Sequence, residues 1–150
     1  MKKVVITGCS TGLGHAMALW GKKHGWDVLA SVRKPEDGQT LREAGCQVEL
    51  LNLADSDSLQ AFAQTVQGWA PSGLNGLVNN AGNNRPEHFT KVKQENMKYL
   101  TNLNMKAAFN VAQLCSQKMV KAKNRKKTGG SIIHMSSQLG RVGCEGRNVY

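Results

Sequence analysis

Three glycines fall within seven residues in Thr7-Gly8-Cys9-Ser10-Thr11-Gly12-Leu13-Gly14, directly after the short apolar run Val4-Val5-Ile6. Glycine lets a backbone reverse tightly and lets other groups approach it closely. The pattern after it is helical, with Leu13, Ala16, Met17 and Trp20 at i, i+3, i+4 and i+7. The first strand therefore feeds straight into a helix, and the rest of the chain repeats the alternation. Gly25 ends the helix and Val28 to Val32 reads as a second strand. Leu41 and Ala44 mark a short helix closed by Gly45, and Val48 to Leu53 a third strand. Asp55 or Ser56 can cap a helix striped by Leu59, Phe62, Ala63 and Val66. Gly76 to Asn79 is a fourth strand. A long helix follows with Leu100, Ala107, Ala108, Val111 and Cys115 on one face, and Ser131 to Ser136 is a fifth strand. Apolar strands separated by helices imply an α/β fold, a doubly wound parallel sheet covered on both faces. No repeat or linker divides residues 1–150, so one domain is expected.

Glycines at a strand-to-helix turn suit an anion as well as a bend. The helix N-terminus beyond them offers unpaired N–H groups to a pyrophosphate, and the glycines let it come close. A merely tight turn is the alternative. The spacing here, G-x-x-x-G-x-G, departs from the G-x-G-x-x-G form.

Composition removes several other classes. No apolar run approaches the roughly 18 residues that a membrane span needs, and Thr7-Gly8 interrupts the N-terminal apolar run before a signal peptide could form. Cys9, Cys46, Cys115 and Cys144 lie far apart, without zinc-site or disulfide-framework spacing. No metal is implied, and a reducing, cytoplasmic setting follows. The chain carries 20 Lys or Arg against 10 Asp or Glu, a formal charge of +10. Six of those cations lie between Lys118 and Lys127, after the long helix. Cations are favoured at a helix C-terminus, so the run reads as a solvated helix end and loop. A nucleic-acid or anionic-surface patch is the alternative, but no stacking aromatics accompany the run, and no nucleic-acid partner is expected.

Four motifs, in order, resemble those of the short-chain dehydrogenase/reductase family. The turn resembles its T-G-x-x-x-G-x-G signature, and Asn79-Asn80-Ala81-Gly82 its N-N-A-G at the end of the fourth strand. Asn104-Met105-Lys106-Ala107-Ala108-Phe109 is similar to its N-L-K-G-A-F segment. Ser137, with Tyr150 thirteen residues on, matches its serine–tyrosine spacing. The resemblance implies a Rossmann-like, NAD(P)-binding domain of an oxidoreductase that interconverts an alcohol and a ketone or aldehyde. It assigns Tyr150 as general acid/base, Ser137 as the residue orienting the substrate oxygen, and Asn104 as the holder of a water in a proton relay. Read without the resemblance, Ser137 is a strand-end cap and Tyr150 an ordinary aromatic. Asn104 lies on the apolar side of its helix, where a carboxamide is costly unless hydrogen-bonded. Satisfying a helix distortion is its alternative role.

The same resemblance places Gly8, Ser10, Thr11, Gly12, Leu13 and Gly14 at the cofactor phosphates and Asn80, Ala81 and Gly82 beside the cofactor. Asn52-Leu53 stands where the family has an aspartate and an aliphatic residue at adenine. At the end of the second strand, Val32 occupies the position of the acidic residue that NAD enzymes use on the ribose, and Arg33 follows. A guanidinium fork suits a 2′-phosphate. NADP(H) is therefore the expected cofactor, with NAD(H) possible and Arg33 as a plain solvated charge the alternative. Family members continue well beyond the position of Tyr150, with a lysine four positions after the tyrosine that lowers its pKa. The sequence thus reads as the N-terminal part of an enzyme, its sheet incomplete at the C-terminal edge and the 150 residues alone inactive. A noncatalytic dinucleotide-binding protein is the competing reading. The resemblance also implies that the full-length protein forms a homo-oligomer, through the long Asn104 helix and the helix that carries the tyrosine.

Overall fold

All five strands of the sheet run parallel, in the order β3-β2-β1-β4-β5. The structure is a computed structural model and describes residues 1–122, 125–147 and 149. The chain runs β1 (Lys3–Ile6), α1 (Gly12–Lys23), β2 (Asp27–Val32), α2 (Gln39–Glu43), β3 (Gln47–Leu50), α3 (Ser56–Trp69) and β4 (Gly76–Asn79). It continues through α4 (Gln94–Leu100), a π-helical stretch (Thr101–Ala107), α5 (Ala108–Val120), α6 (Arg125–Thr128) and β5 (Ser131–His134). The alternation and the doubly wound architecture expected from the sequence are those observed.

Alternate residues of each strand face opposite sides of the sheet, and the core divides accordingly. Val5, Leu29 and Leu77 pack with Phe62, Val66, Val111 and Cys115 of α3 and α5. Val4, Ile6, Val28 and Ala30 pack with Ala18 of α1 and Leu41 of α2 on the other side. Full burial of an aliphatic side chain contributes roughly 1.5–3 kcal/mol, so both layers are needed to hold the central strands. Asp55 caps α3, its carboxylate accepting from the Asp57 N–H at 2.9 Å.

Four local expectations need correction. In α1 the buried line is Gly14, Ala18 and Gly21, whereas Leu13 and Trp20 are 66% and 59% exposed. The helix lies so close to the sheet that only small residues fit beneath it: a Cβ on Gly21 would sit 3.3 Å from Val28. The third strand stops at Leu50, although the Leu51 N–H still donates to the Val32 carbonyl at 2.9 Å. The long helix is broken in register by the π-helical stretch, and Met119 joins Leu100, Ala107, Val111 and Cys115 on its buried face. The fifth strand ends at His134 and forms one edge of the sheet, with all four of its residues exposed.

Candidate functional site

The order of strands reverses between β1 and β4, one leading toward β2 and the other toward β5. In open α/β sheets such a point leaves a crevice beyond the C-terminal strand ends. A cleft of about 400 Å³ lies there, bounded by the residues that follow β1, β2, β3 and β4. It brings together ten of the twelve positions expected at a cofactor: Gly8, Ser10, Thr11, Leu13, Arg33, Asn52, Leu53, Asn80, Ala81 and Gly82. Gly12 and Gly14 support it without lining it.

Three polar side chains are buried among the described residues, and all three stand at the C-terminal strand ends under the cleft: Thr7, Ser31 and Asn79. Burying them demands partners, and the partners build the floor. The Thr7 hydroxyl accepts from the backbone N–H groups of Asn80 and Ala81, each at 3.1 Å. The Asn80 carboxamide donates back to the carbonyls of Thr7 at 3.0 Å and Gly8 at 3.1 Å. Ser31 accepts from the Gly8 N–H at 3.3 Å. Asn79 donates to the Ala108 carbonyl at 2.6 Å, tying β4 to the start of α5.

These bonds hold two backbones in near contact, which explains the glycines. Gly8 has φ +71°, and a Cβ on it would lie 2.8 Å from Ala81 Cα. A Cβ on Gly14 would lie 2.3 Å from the Gly8 carbonyl oxygen and 2.5 Å from Asn80 Nδ2. The Cys9 side chain turns away from the cleft into the core, and burial pushes its thiol up to about 12. It is a packing residue, not a nucleophile.

Among the described residues lining the cleft, Arg33 is the one that carries a charge, and it makes no ion pair with a described residue. Its backbone N–H donates to the Ser10 hydroxyl at 3.2 Å, which joins the glycine turn to the end of β2. Val32 beside it is buried. At the start of α1, Thr11 makes no side-chain cap bond and the first turn carries no acidic residue. Its N–H groups and positive dipole end therefore have no anion from within the helix beside them. Such a surface suits an anion. Leu51, Leu53 and Leu103 contribute apolar lining. Asn52 uses one lone pair of Oδ1 on the Ala54 N–H at 3.1 Å, leaving a second for a ligand.

Of the residues expected to act on a substrate, Asn104 and Ser137 are described. Asn104 stands in the middle of the π-helical stretch, a distortion that recurs at functional sites. Its carboxamide reaches out of the helix to the loop after β4, where Oδ1 accepts from the Asn83 N–H and Nδ2 donates to the Asn83 carbonyl. Ser137 follows β5 and is not among the described residues that line the cleft; its hydroxyl accepts from the Leu139 N–H at 3.2 Å and caps the short 3-10 turn Gln138–Gly140. Tyr150 lies outside the described residues, as does Lys123 of the basic run.

Ser31, Asn83, Tyr99 and Leu103 also line the cleft. A hydroxyl inside the apolar run Ala30-Ser31-Val32 is a linear signal for the first, and Asn83 directly follows Gly82 in the chain. No linear signal marks Tyr99 and Leu103, which the packing of α4 and the stretch after it brings to the strand ends.

A short chain dehydrogenase family profile matches residues 2–150. The chain is 30% identical to the uncharacterized oxidoreductase YbbO of Escherichia coli, over 99% of its own length and 54% of that protein's. It is 31% identical to the 3-oxoacyl-[acyl-carrier-protein] reductase FabG of Thermotoga maritima, over 99% and 61% respectively. It thus spans little more than half the length of these relatives. Among solved structures it superposes on a short-chain dehydrogenase from Streptomyces avermitilis with a TM-score of 0.88 at 24% identity, covering all of this chain and 55% of the other. An alcohol dehydrogenase from Thermococcus sibiricus, complexed with 5-hydroxy-NADP, gives 0.85 at 20% identity, covering 100% and 64%. At these identities the two structures speak to the fold.

Proposed function

The chain belongs to the short-chain dehydrogenase family, and on that premise we propose that it is the dinucleotide-binding part of an NADP(H)-preferring oxidoreductase acting on an alcohol or carbonyl compound. The observation that carries this reading is the cleft itself, with Arg33 as the sole charged residue among its described lining residues and Val32 where an acidic residue would contact a ribose hydroxyl. A dianionic 2′-phosphate beside a guanidinium with no described carboxylate partner gains a charge-assisted fork. Gly8, Ser10, Thr11, Gly12, Leu13 and Gly14 would hold the pyrophosphate at the start of α1, and Asn52, Leu53, Asn80, Ala81 and Gly82 the adenosine and the inner wall. A bound nicotinamide would supply the hydride to a carbonyl, or accept it from an alcohol.

The chain's own part in the chemistry is proton transfer. Tyr150 would deliver a proton to the substrate oxygen, or remove it, as charge changes there, and the Ser137 hydroxyl would hold that oxygen. Asn104 fixes the loop that borders the cleft. A positioned acid of this kind typically contributes 10²–10⁴-fold. A tyrosine can act as acid and base near neutrality once nearby positive charge lowers its pKa from about 10. Met97, Met105 and Phe109, exposed on the α4–α5 helix, support assembly of the longer protein into a homo-oligomer. No helix among the described residues is long and apolar enough to cross a membrane. The described cysteines are all free thiols, which supports a reducing, cytoplasmic setting.

Titration calorimetry with NADP+ and NAD+ tests the reading. Binding of NADP+ at least tenfold tighter than NAD+ is the expected result. Equal affinity would remove the preference, and no binding of either would remove the dinucleotide reading.

A further inference from the structure

We propose that Tyr99 forms an aromatic wall for the adenine base, fixed in place by Arg85 and Asn83. This rests on the dinucleotide reading of the cleft and adds a binding residue that no motif marks.

The lining of the cleft is mixed: Ser10, Thr11 and Arg33 contribute polar and cationic groups, and Leu51, Leu53 and Leu103 apolar ones. A ligand with an aromatic base and several phosphates finds partners for both in such a lining. Tyr99 adds the one aromatic ring among the described lining residues, from α4, and is half-buried.

The ring is held from two directions. The Arg85 guanidinium lies 3.8 Å from the ring centroid, and its Nη1 donates to Asn96 Oδ1 at 2.6 Å. Asn83 Nδ2 donates to the Tyr99 hydroxyl at 3.3 Å. The Asn83 backbone is in turn clamped by Asn104. One face of the ring is thus covered by a cation, and what it offers the cleft is its edge or its other face. A ring already fixed loses little conformational entropy when a base packs on it. Stacking on an aromatic is tolerant of base identity but needs the ring.

The test uses the 150-residue chain and a fluorescent probe, the 1,N6-etheno derivative of 2′-phospho-ADP-ribose, which lacks only the nicotinamide ring. Wild type should bind it with quenched emission. Tyr99→Leu should weaken binding about tenfold and relieve the quenching, while Tyr99→Phe stays within about twofold and keeps it. A merely structural role for Tyr99 would leave the quenching of bound probe the same in all three. Arg85→Ala should weaken binding by a smaller factor than Tyr99→Leu. Unfolding curves in urea identify a leucine variant that has lost its fold, and Tyr99→His, aromatic and smaller, then serves in its place, with partial quenching expected. If wild type binds the probe and Tyr99→Leu binds it equally well, the Tyr99 assignment fails and the dinucleotide reading stands. If wild type binds neither the probe nor NADP+, both fail.

Discussion

Asn104 grips the Asn83 backbone at both of its polar groups, accepting from the N–H at 3.0 Å and donating to the carbonyl at 2.9 Å. A residue in a π-helical stretch therefore sets the path of the loop beyond β4, and through it one wall of the cleft. Replacing Asn104 by Ala leaves both Asn83 groups to water and should cost about 1–3 kcal/mol. Urea unfolding gives the magnitude. Faster hydrogen exchange at the Asn83 amide, with the β1 amides unchanged, would locate the loss. Unaltered exchange there would mean that the loop holds its course without the clamp.

Gly8 and Gly12 share a positive φ, +71° and +63°, but not their surroundings. An alanine at 12 meets nothing within 4 Å, so only backbone strain of roughly 1–2 kcal/mol is expected. An alanine at 8 adds a collision with the Ala81 backbone. Gly8→Ala should therefore be the more destabilising by at least about 1 kcal/mol and should open the cleft floor. Urea midpoints of the two variants, compared at equal m-values, check the order.

Val32 and Arg33 control the ribose end in the proposed function. The double change Val32→Asp with Arg33→Ala should lower NADP+ affinity by about 10–100-fold, the worth of a charged hydrogen bond, and raise that for NAD+. Because Val32 is buried, the new carboxylate is accommodated only where it reaches the cleft, so stability is measured alongside. An unchanged NADP+/NAD+ ratio in a folded variant counts against Arg33 as the phosphate ligand.

The thiols give a pH test with a definite sign. Burial pushes Cys9 and Cys115 from 9.0 to about 12, and also raises Cys46. Above pH 9 the unfolded chain therefore binds fewer protons than the folded one, so stability falls with rising pH. It is undiminished below 9 and is lost progressively toward 12, at up to about 1.4 kcal/mol per pH unit for each fully shifted thiol. Cys9→Ser with Cys115→Ala should flatten that slope in urea titrations between pH 8 and 10.5. At pH 8 the exposed Cys144 should label with a thiol reagent in the native state, and the buried three only on unfolding.

The linear sequence carried the layer architecture because periodicity and punctuation are local. Apolar runs of strand length, helical stripes and glycine stops specify which segment is strand or helix, and the glycine turn, the two asparagines at the end of β4 and Arg33 mark loops that border the cleft. It could not reveal that α1 presses Gly14, Ala18 and Gly21 against the sheet while Leu13 and Trp20 stay outside. That outcome depends on the distance between helix and strands, which no window of residues encodes. The same holds for the π-helical stretch at Asn104 and for Tyr99. A helix pattern read alone predicts an unbroken helix. Its register is decided where the Asn79 carboxamide takes the Ala108 carbonyl and Asn104 takes the Asn83 backbone, partners distant in sequence in both cases. Buried polar groups must find partners wherever the fold supplies them, and here the partners that shape the cleft were chosen by tertiary packing.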